Sequence, residues 1–467
     1  PGEETDKEIV DFMCKFSEQT LGKGVVICKD TPNFIGNRIG AFDLSNAQRI
    51  MYERKYKIDE TDAIVGKALG RPGTALFGTI DLVGLDIGAH VNKNLYDAVP
   101  NDEMRDMFLS LPFGDKMLAN KWLGNKTKQG FYKKTKDAKG KSVKLMLDID
   151  TMEYVPAGKP KFDSISAAKK KESVAESMKM VFFAEDRAGE FAREYLCKNF
   201  IYAANRMGEI ADDIMSIDNA MKWGYNHQLG PFESWDAVGV KEAIDVMKKM
   251  KLKVPKKIDE MLKKGCESFY TTKPDGKYYY DFEKKAYAKI DENPRIIILP
   301  DLKSRNKIIK ENASATLIDI GDGVACLEFH TKMNSIDEGL TTMQNDACDI
   351  VEKDFVGMVV ANHDARAFSA GANVFQVLAA AQMGQWDLIE KGVEALQGVN
   401  MKMKYLGKPV VTAPAGLALG GGCEIAMHGA RCLPNGETYM GLVEVGVGVI
   451  PAGGGCKELL VRLTEGI

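Results

Sequence analysis

Gly416-Leu-Ala-Leu-Gly-Gly-Gly-Cys-Glu424 decides how this chain is read. A short apolar run leads into three consecutive glycines, and an apolar stretch, 425–431, follows. The pattern is strand, glycine turn, then a helix expected over Ile425–Arg431. At a helix start the first N–H groups have no intrahelical partner and the dipole is positive, so such a turn faces an electron-rich atom. Phosphate is one such partner. No Lys-Ser or Lys-Thr follows the glycines, which argues against a P-loop.

Two further stretches lie on either side. Ala367-Phe-Ser-Ala-Gly-Ala-Asn373 comes just after an expected strand, and its small residues let backbone approach a ligand, with the Ala370 N–H free to point at an oxygen. Glu444 sits in Gly441-Leu-Val-Glu-Val-Gly446, an apolar run where burial would raise a carboxyl pKa toward general-acid range. Each alone has an ordinary explanation: a loop at a strand end, a first-turn acid complementing a dipole, an exposed loop carboxylate. Together they describe two backbone donors, an oxyanion hole, facing two acid/base groups, a site suited to chemistry next to a thioester carbonyl.

From Ala315 onward strands alternate with helices, which predicts an α/β module. Ala315–Ile320 and Val324–His330 flank Gly321-Asp-Gly323, a hairpin signal. Ser335-Ile-Asp-Glu338 is expected to cap a helix, and Val356–Val360 and Pro409–Ala413 to be strands.

Upstream the pattern is helical. Residues 3–21 read as a helix, Val25–Cys28 as a short strand, and Thr31-Pro32 as the start of a helix reaching Tyr56. A weak repeat relates Asp62…Gly78-Thr-Ile-Asp-Leu-Val-Gly84 to Asp218…Gly230-Pro-Phe-Glu-Ser-Trp-Asp236. Each copy follows a helix bearing an Asn-Arg pair, Asn37-Arg38 and Asn205-Arg206. A Lys-rich connector is expected between the copies.

Composition excludes several classes. The formal net charge of −3 gives no global reason for nucleic-acid binding. The lysines around 133–144 and 248–264 read as solvated faces. The nine cysteines show no C-x-x-C pairing and do not cluster with the five histidines, so reduced thiols, a cytoplasmic setting and no metal site are expected. No apolar run is long enough to span a membrane, and no signal peptide is visible. The chain starts at Pro1 and stops at Ile467 inside the glycine-rich module, which reads as an internal fragment of a longer polypeptide.

Residues 315–467 resemble the crotonase (enoyl-CoA hydratase/isomerase) superfamily. The resemblance implies that Ala370 and Gly421 supply the two oxyanion-hole N–H groups, and that Glu424 and Glu444 are the catalytic glutamates that hold water for addition to a trans-2-enoyl-CoA. Val443 stands before Glu444, where many hydratases have proline. Residues 25–133 resemble the C-terminal domain of 3-hydroxyacyl-CoA dehydrogenases, most clearly in Lys29-Asp-Thr-Pro-Asn-Phe-Ile-Gly-Asn-Arg38, and Asn37 matches the asparagine placed near that family's catalytic histidine. Residues 186–290 resemble a diverged second copy, expected to be structural, with Phe232 and Trp235 in its core. No strand–GxGxxG–helix occurs, and neither His90 nor His227 sits in a matching motif. The dehydrogenase site is therefore expected to be incomplete here, with its NAD-binding domain elsewhere in a parent enzyme.

The implied architecture is multidomain: two α-helical dehydrogenase C-terminal-like domains, then a partial α/β crotonase-like domain. The expected segments are 1–24, a remnant of the NAD-binding domain; 25–133; a connector, 134–185; 186–290; a linker, 291–312; and the truncated crotonase module, 313–467. The implied function is fatty-acid β-oxidation, by enoyl-CoA hydration followed by NAD-dependent oxidation of the 3-hydroxyacyl-CoA. A crotonase-type isomerase or hydrolase and a non-catalytic acyl-CoA-binding module are the alternatives. Besides the acyl-CoA thioester, the implied partners are further copies of the chain or a β-oxidation thiolase, with no nucleic acid and no membrane insertion.

Overall fold

A computed structural model of the chain describes every residue except 274, 292, 294, 364, 365, 466 and 467. It divides into two compact units, residues 1–291 and 292–467.

The first unit is built twice from the same parts. In the first copy, helices Ile58–Ile64, Phe77–Val83, Leu85–Ala98 and Pro112–Ala119 are followed by the antiparallel strands Tyr132–Lys136, Ser142–Asp148 and Glu153–Pro156. In the second, helices Ile214–Tyr225, Pro231–Val238, Val240–Lys249 and Lys256–Lys263 precede strands Tyr270–Lys273, Gly276–Asp281 and Ala286–Lys289. The repeated aspartates explain why the pattern is duplicated. Asp62 accepts the N–H groups of Leu76 and Phe77 at 3.0 and 2.8 Å, and the Tyr132 hydroxyl at 2.7 Å. Asp218 does the same for Phe232 and Glu233, at 2.9 and 3.2 Å, and for Tyr270, at 2.7 Å. Asp81 accepts the N–H groups of Phe131 and Tyr132, as Asp236 accepts those of Phe269 and Tyr270. Each pair of carboxylates ties a helix start to the first strand of its sheet, satisfying buried donors that would otherwise be costly.

The two copies share one apolar core, with Phe42 stacked on Tyr202 (centroids 3.8 Å apart) and Trp235 and Phe232 fully buried. Helix Gly36–Glu53 packs on helix Arg187–Arg206. The Asn-Arg pairs sit at opposite ends of these helices and are not equivalent, because Asn37-Arg38 opens the first and Asn205-Arg206 closes the second. Both arginines nevertheless converge on buried Asp102, at 2.7 Å from Arg38 and 3.0 Å from Arg206.

Several local expectations are corrected. Val25–Cys28 forms no strand, since no strand lies beside it to pair with. The helix expected from Pro32 begins at Gly36, because Asn33 and Phe34 make a left-handed turn (φ 64° and 53°) that no α-helix can contain. The Lys-rich stretch 134–185 contains two of the sheet strands and helices Asp163–Ala168 and Val174–Phe182. Its lysines mark the solvent side, while Met146, Leu147, Met178 and Phe182 are buried.

In the second unit the chain alternates between two sheets. The larger has the order Arg431–Cys432, Val410–Thr412, Gly357–Val360, Val324–Phe329, Ala315–Gly321, Ile308–Glu311, parallel over the first four and antiparallel beyond. The smaller has Ala367–Ser369, Leu417–Leu419 and Tyr439–Gly441, all parallel. Large-sheet and small-sheet strands follow in pairs, 357–360 with 367–369, 410–412 with 417–419, and 431–432 with 439–441. Helix Glu338–Asp354 is capped by Asp337, whose carboxylate accepts the Leu340 N–H at 2.8 Å, and not by Ser335, whose hydroxyl turns back to the Lys332 carbonyl. The helix expected over 425–431 is Gly421–Met427, so the glycines form its first turn.

Among the described residues, no helix is long and apolar enough to cross a membrane, and no cluster of metal-ligating side chains occurs. All nine cysteines are free.

Candidate active site

The three parallel strands of the small sheet each end at one of the expected motifs. Ala370 follows Ser369, Gly420-Gly421 follows Leu419, and Glu444 lies just beyond Gly441. Leu419 is paired in register with Gly441 and Ala418 with Ser369, so the three strand ends are neighbours. Ligand sites favour this location, at the carboxyl ends of parallel strands.

Close backbone approach then accounts for the glycines. A Cβ on Gly371 (φ 86°) would lie 2.8 Å from the Leu419 carbonyl and 3.1 Å from the Gly421 nitrogen. A Cβ on Gly422 would lie 2.5 Å from the Ser369 carbonyl. The turns at 370–371 and 420–422 thus touch backbone to backbone. Gly421 is the first residue of its helix, where an N–H has no intrahelical acceptor. The Ala370 N–H, expected to face a ligand, donates to the Met333 carbonyl at 3.1 Å. Met333 and Asn334 carry positive φ (58° and 51°), a conformation unusual for residues with side chains.

Glu424 is 2% exposed, and its Oε1 accepts the Gly455 N–H at 2.8 Å. Gly453 and Gly455 enclose this carboxyl: a Cβ on either would come within 3 Å of its oxygens. Burial raises the Glu424 pKa above its ordinary value, opposed by the Gly455 hydrogen bond and assisted by the Glu444 charge. Both Glu444 oxygens are buried, and no protein group hydrogen-bonds to them. Gly420, at φ 54°, leaves room for this carboxyl, since a Cβ there would lie 3.2 Å from Glu444 Oε1.

The unit therefore brings Ala370, Gly421, Glu424 and Glu444 to one place. Asn37 belongs to the helical unit, where its Oδ1 accepts the Tyr225 hydroxyl at 2.6 Å. Sequence reasoning missed the Gly453–Gly455 cradle, although a second run of three glycines after Pro451 was a visible signal. It also missed His428, one turn after Glu424. The His428 Nδ1 is 2.7 Å from the Glu424 backbone carbonyl, so it must carry a proton, and burial lowers the pKa of the ring.

Comparison with known proteins agrees with this division. Residues 34–134 match the family described as "3-hydroxyacyl-CoA dehydrogenase, C-terminal domain", and residues 323–467 match "Enoyl-CoA hydratase/isomerase". A protein of Bacillus subtilis (strain 168), provisionally described as a 3-hydroxyacyl-CoA dehydrogenase, is 42% identical over 99% of this chain and 57% of its own length. A Rickettsia felis protein, provisionally described as a fatty acid oxidation complex trifunctional enzyme, is 29% identical over 97% of this chain and 58% of its own. The chain thus spans little more than half the length of these relatives. The crystal structure of an enoyl-CoA hydratase from Bacillus anthracis aligns at 21% identity over 33% of this chain and 57% of that one, with a TM-score of 0.28. The chain is multidomain, with a helical domain similar to the dehydrogenase C-terminal family followed by an α/β domain similar to the hydratase/isomerase family.

Proposed function

We propose that the α/β unit hydrates the double bond of a trans-2-enoyl-CoA, within a protein that also oxidises the 3-hydroxyacyl-CoA product with NAD in fatty-acid β-oxidation. The observation that carries this reading is the pair of carboxyls beside two glycine turns. Glu424 is buried and held by the backbone of the Gly453–Gly455 turn, while Glu444 has both oxygens free of protein partners. Such a pair can hold one water between them. One carboxylate takes a proton from the water as its oxygen bonds to C3, and the other, protonated, delivers a proton to C2. Charge that builds on the thioester oxygen is met by the Gly421 N–H and by the Ala370 N–H, once the substrate oxygen replaces the Met333 carbonyl as its acceptor.

In the helical unit Asn37 contributes to 3-hydroxyacyl binding. NAD supplies the hydride acceptor for that half.

The test is Glu424→Gln and Glu444→Gln in the complete protein, following loss of the conjugated enoyl thioester absorbance. Each is expected to lower kcat by at least about a hundredfold. Unchanged rates in both variants would reject the proposal. A shifted double bond, or free acid in place of hydrated thioester in the products, would point to the isomerase or hydrolase alternative.

A further inference from the structure

We propose that Tyr225, from the second helical copy, is a positioning residue for Asn37, so that this copy completes a substrate chamber and does more than support the first. The inference rests on the dehydrogenase reading of Asn37 given above.

The helical unit holds a cavity of about 1400 Å³, whose walls include Asn37, Gly40, Asp43, Arg71, Tyr225 and His227. The first four belong to the first copy and the last two to the second. Tyr225 ends helix Ile214–Tyr225, and Asn226 turns the chain back in the left-handed region (φ 54°), bringing His227 to the same wall. The Tyr225 ring lies across the start of helix Gly36–Glu53. A Cβ on Gly40 would be 2.4 Å from the ring, and one on Gly36 would be 3.2 Å away. Two glycines one turn apart thus form the flat seat that lets the hydroxyl reach Asn37 Oδ1 at 2.6 Å.

The consequence is chemical. Burial and the Asp43 carboxylate push the Tyr225 pKa up to about 12, so the hydroxyl keeps its proton and donates. The Asn37 Oδ1 accepts that bond, which fixes the amide orientation and turns its NH₂ outward as a donor. A ligand placed there must offer an oxygen acceptor, as a 3-hydroxy or 3-oxo thioester does. The neighbouring wall is internally compensated. Arg71 donates to Asp43 at 2.8 Å and to His227 Nδ1 at 2.5 Å, and Tyr195 donates to Asp43 at 2.6 Å. Since arginine can only donate, His227 Nδ1 is an acceptor and the ring is the neutral Nε2–H form. Its low pKa, from burial and the adjacent Arg71, agrees. Here the Arg71 charge is met by Asp43, so this part of the wall suits the neutral acyl part of a thioester.

The experiment is steady-state oxidation of a 3-hydroxyacyl-CoA with NAD by the complete protein, with Asn37→Ala, Tyr225→Phe and the double variant. Tyr225→Phe removes one hydroxyl and keeps the ring on its glycine seat. It is expected to lower kcat about threefold to tenfold with KM within about twofold, the effect of losing one orienting hydrogen bond. The double variant should be no slower than Asn37→Ala alone, because the hydroxyl acts only through that amide. Enoyl-CoA hydration and Tm, measured on the same samples, should not move with Tyr225→Phe. Gly40→Ala, which displaces the ring, should reproduce the kcat loss. If Asn37→Ala is impaired while Tyr225→Phe matches the parent, or if the two effects multiply, the inference is overturned and the role of Asn37 stands. If Asn37→Ala itself oxidises at the parent rate, the reading of Asn37 fails, and the inference with it.

Discussion

The Gly455 N–H donates to Glu424 Oε1 at 2.8 Å, linking two residues 31 positions apart. That bond holds Glu424 Oε1, while the Gly453 backbone lies against Oε2. A Cβ at 455 would sit 2.9 Å from Glu424 Oε1 and 2.7 Å from a Leu442 methyl. Gly455→Ala is therefore expected to cut the hydration kcat about tenfold or more, with a smaller change in KM, since a displaced acid/base group harms the transition state most. Initial rates against enoyl-CoA concentration check this, and an unchanged kcat would show that the cradle does not set the Glu424 position.

Gly420 makes the same argument for Glu444. Its φ of 54° disfavours any side chain, and a Cβ would press on Glu444 Oε1 at 3.2 Å. Gly420→Ala should cost about 1–3 kcal/mol in stability and lower hydration by more than that loss explains. Urea unfolding paired with rate measurements on the folded enzyme separates the two effects.

Asp62 and Asp236 make the helical unit's stability depend on pH. Burial, outweighing their hydrogen bonds, raises Asp62 from 3.8 to about 6 and Asp236 from 3.8 to about 7. Between those limits the folded state holds protons that the unfolded chain has released, so their contribution falls as pH rises through the window. Asparagine cannot ionise and escapes this loss. The stability of Asp236→Asn relative to the parent should therefore improve steadily from about pH 4 to about pH 7 and level off above. Denaturant midpoints across that range test it, and a flat difference would mean that Asp236 titrates normally.

Trp235 is fully buried, stacked on Phe200 at 5.2 Å with planes 8° apart, and its indole N–H has no hydrogen-bond partner. Trp235→Ala should cost about 3–5 kcal/mol from lost burial and the cavity left behind. Trp235→Phe should cost clearly less, because no hydrogen bond is broken. Equal losses in the two variants would imply a polar role for the indole that its surroundings do not show.

Much of the local order was legible in the chain itself. The glycine runs, the two glutamates, the Asp-Gly hairpin and the strand–helix alternation after Ala315 all report on backbone conformation, which depends on neighbours in sequence. The Asp62/Asp218 repeat was legible as well, because each copy must satisfy its own buried N–H groups with a carboxylate at a fixed spacing. Local signals misled where a distant partner decided the outcome. Val25–Cys28 has strand composition but no strand to pair with, and Pro32 precedes a left-handed turn instead of opening a helix.

The sequence by itself thus determined which residue types were candidates for chemistry and which backbone turns hold them. Tertiary structure alone decided the rest. The register of three short parallel strands brings Ala370, Gly421 and Glu444 together. The fold of the chain after Pro451 closes on Glu424, and the seating of Tyr225 on two glycines orients Asn37 from 188 residues away. Such contacts leave no periodicity in the sequence. They arise because buried polar groups must find partners, and packing, not proximity along the chain, selects which ones.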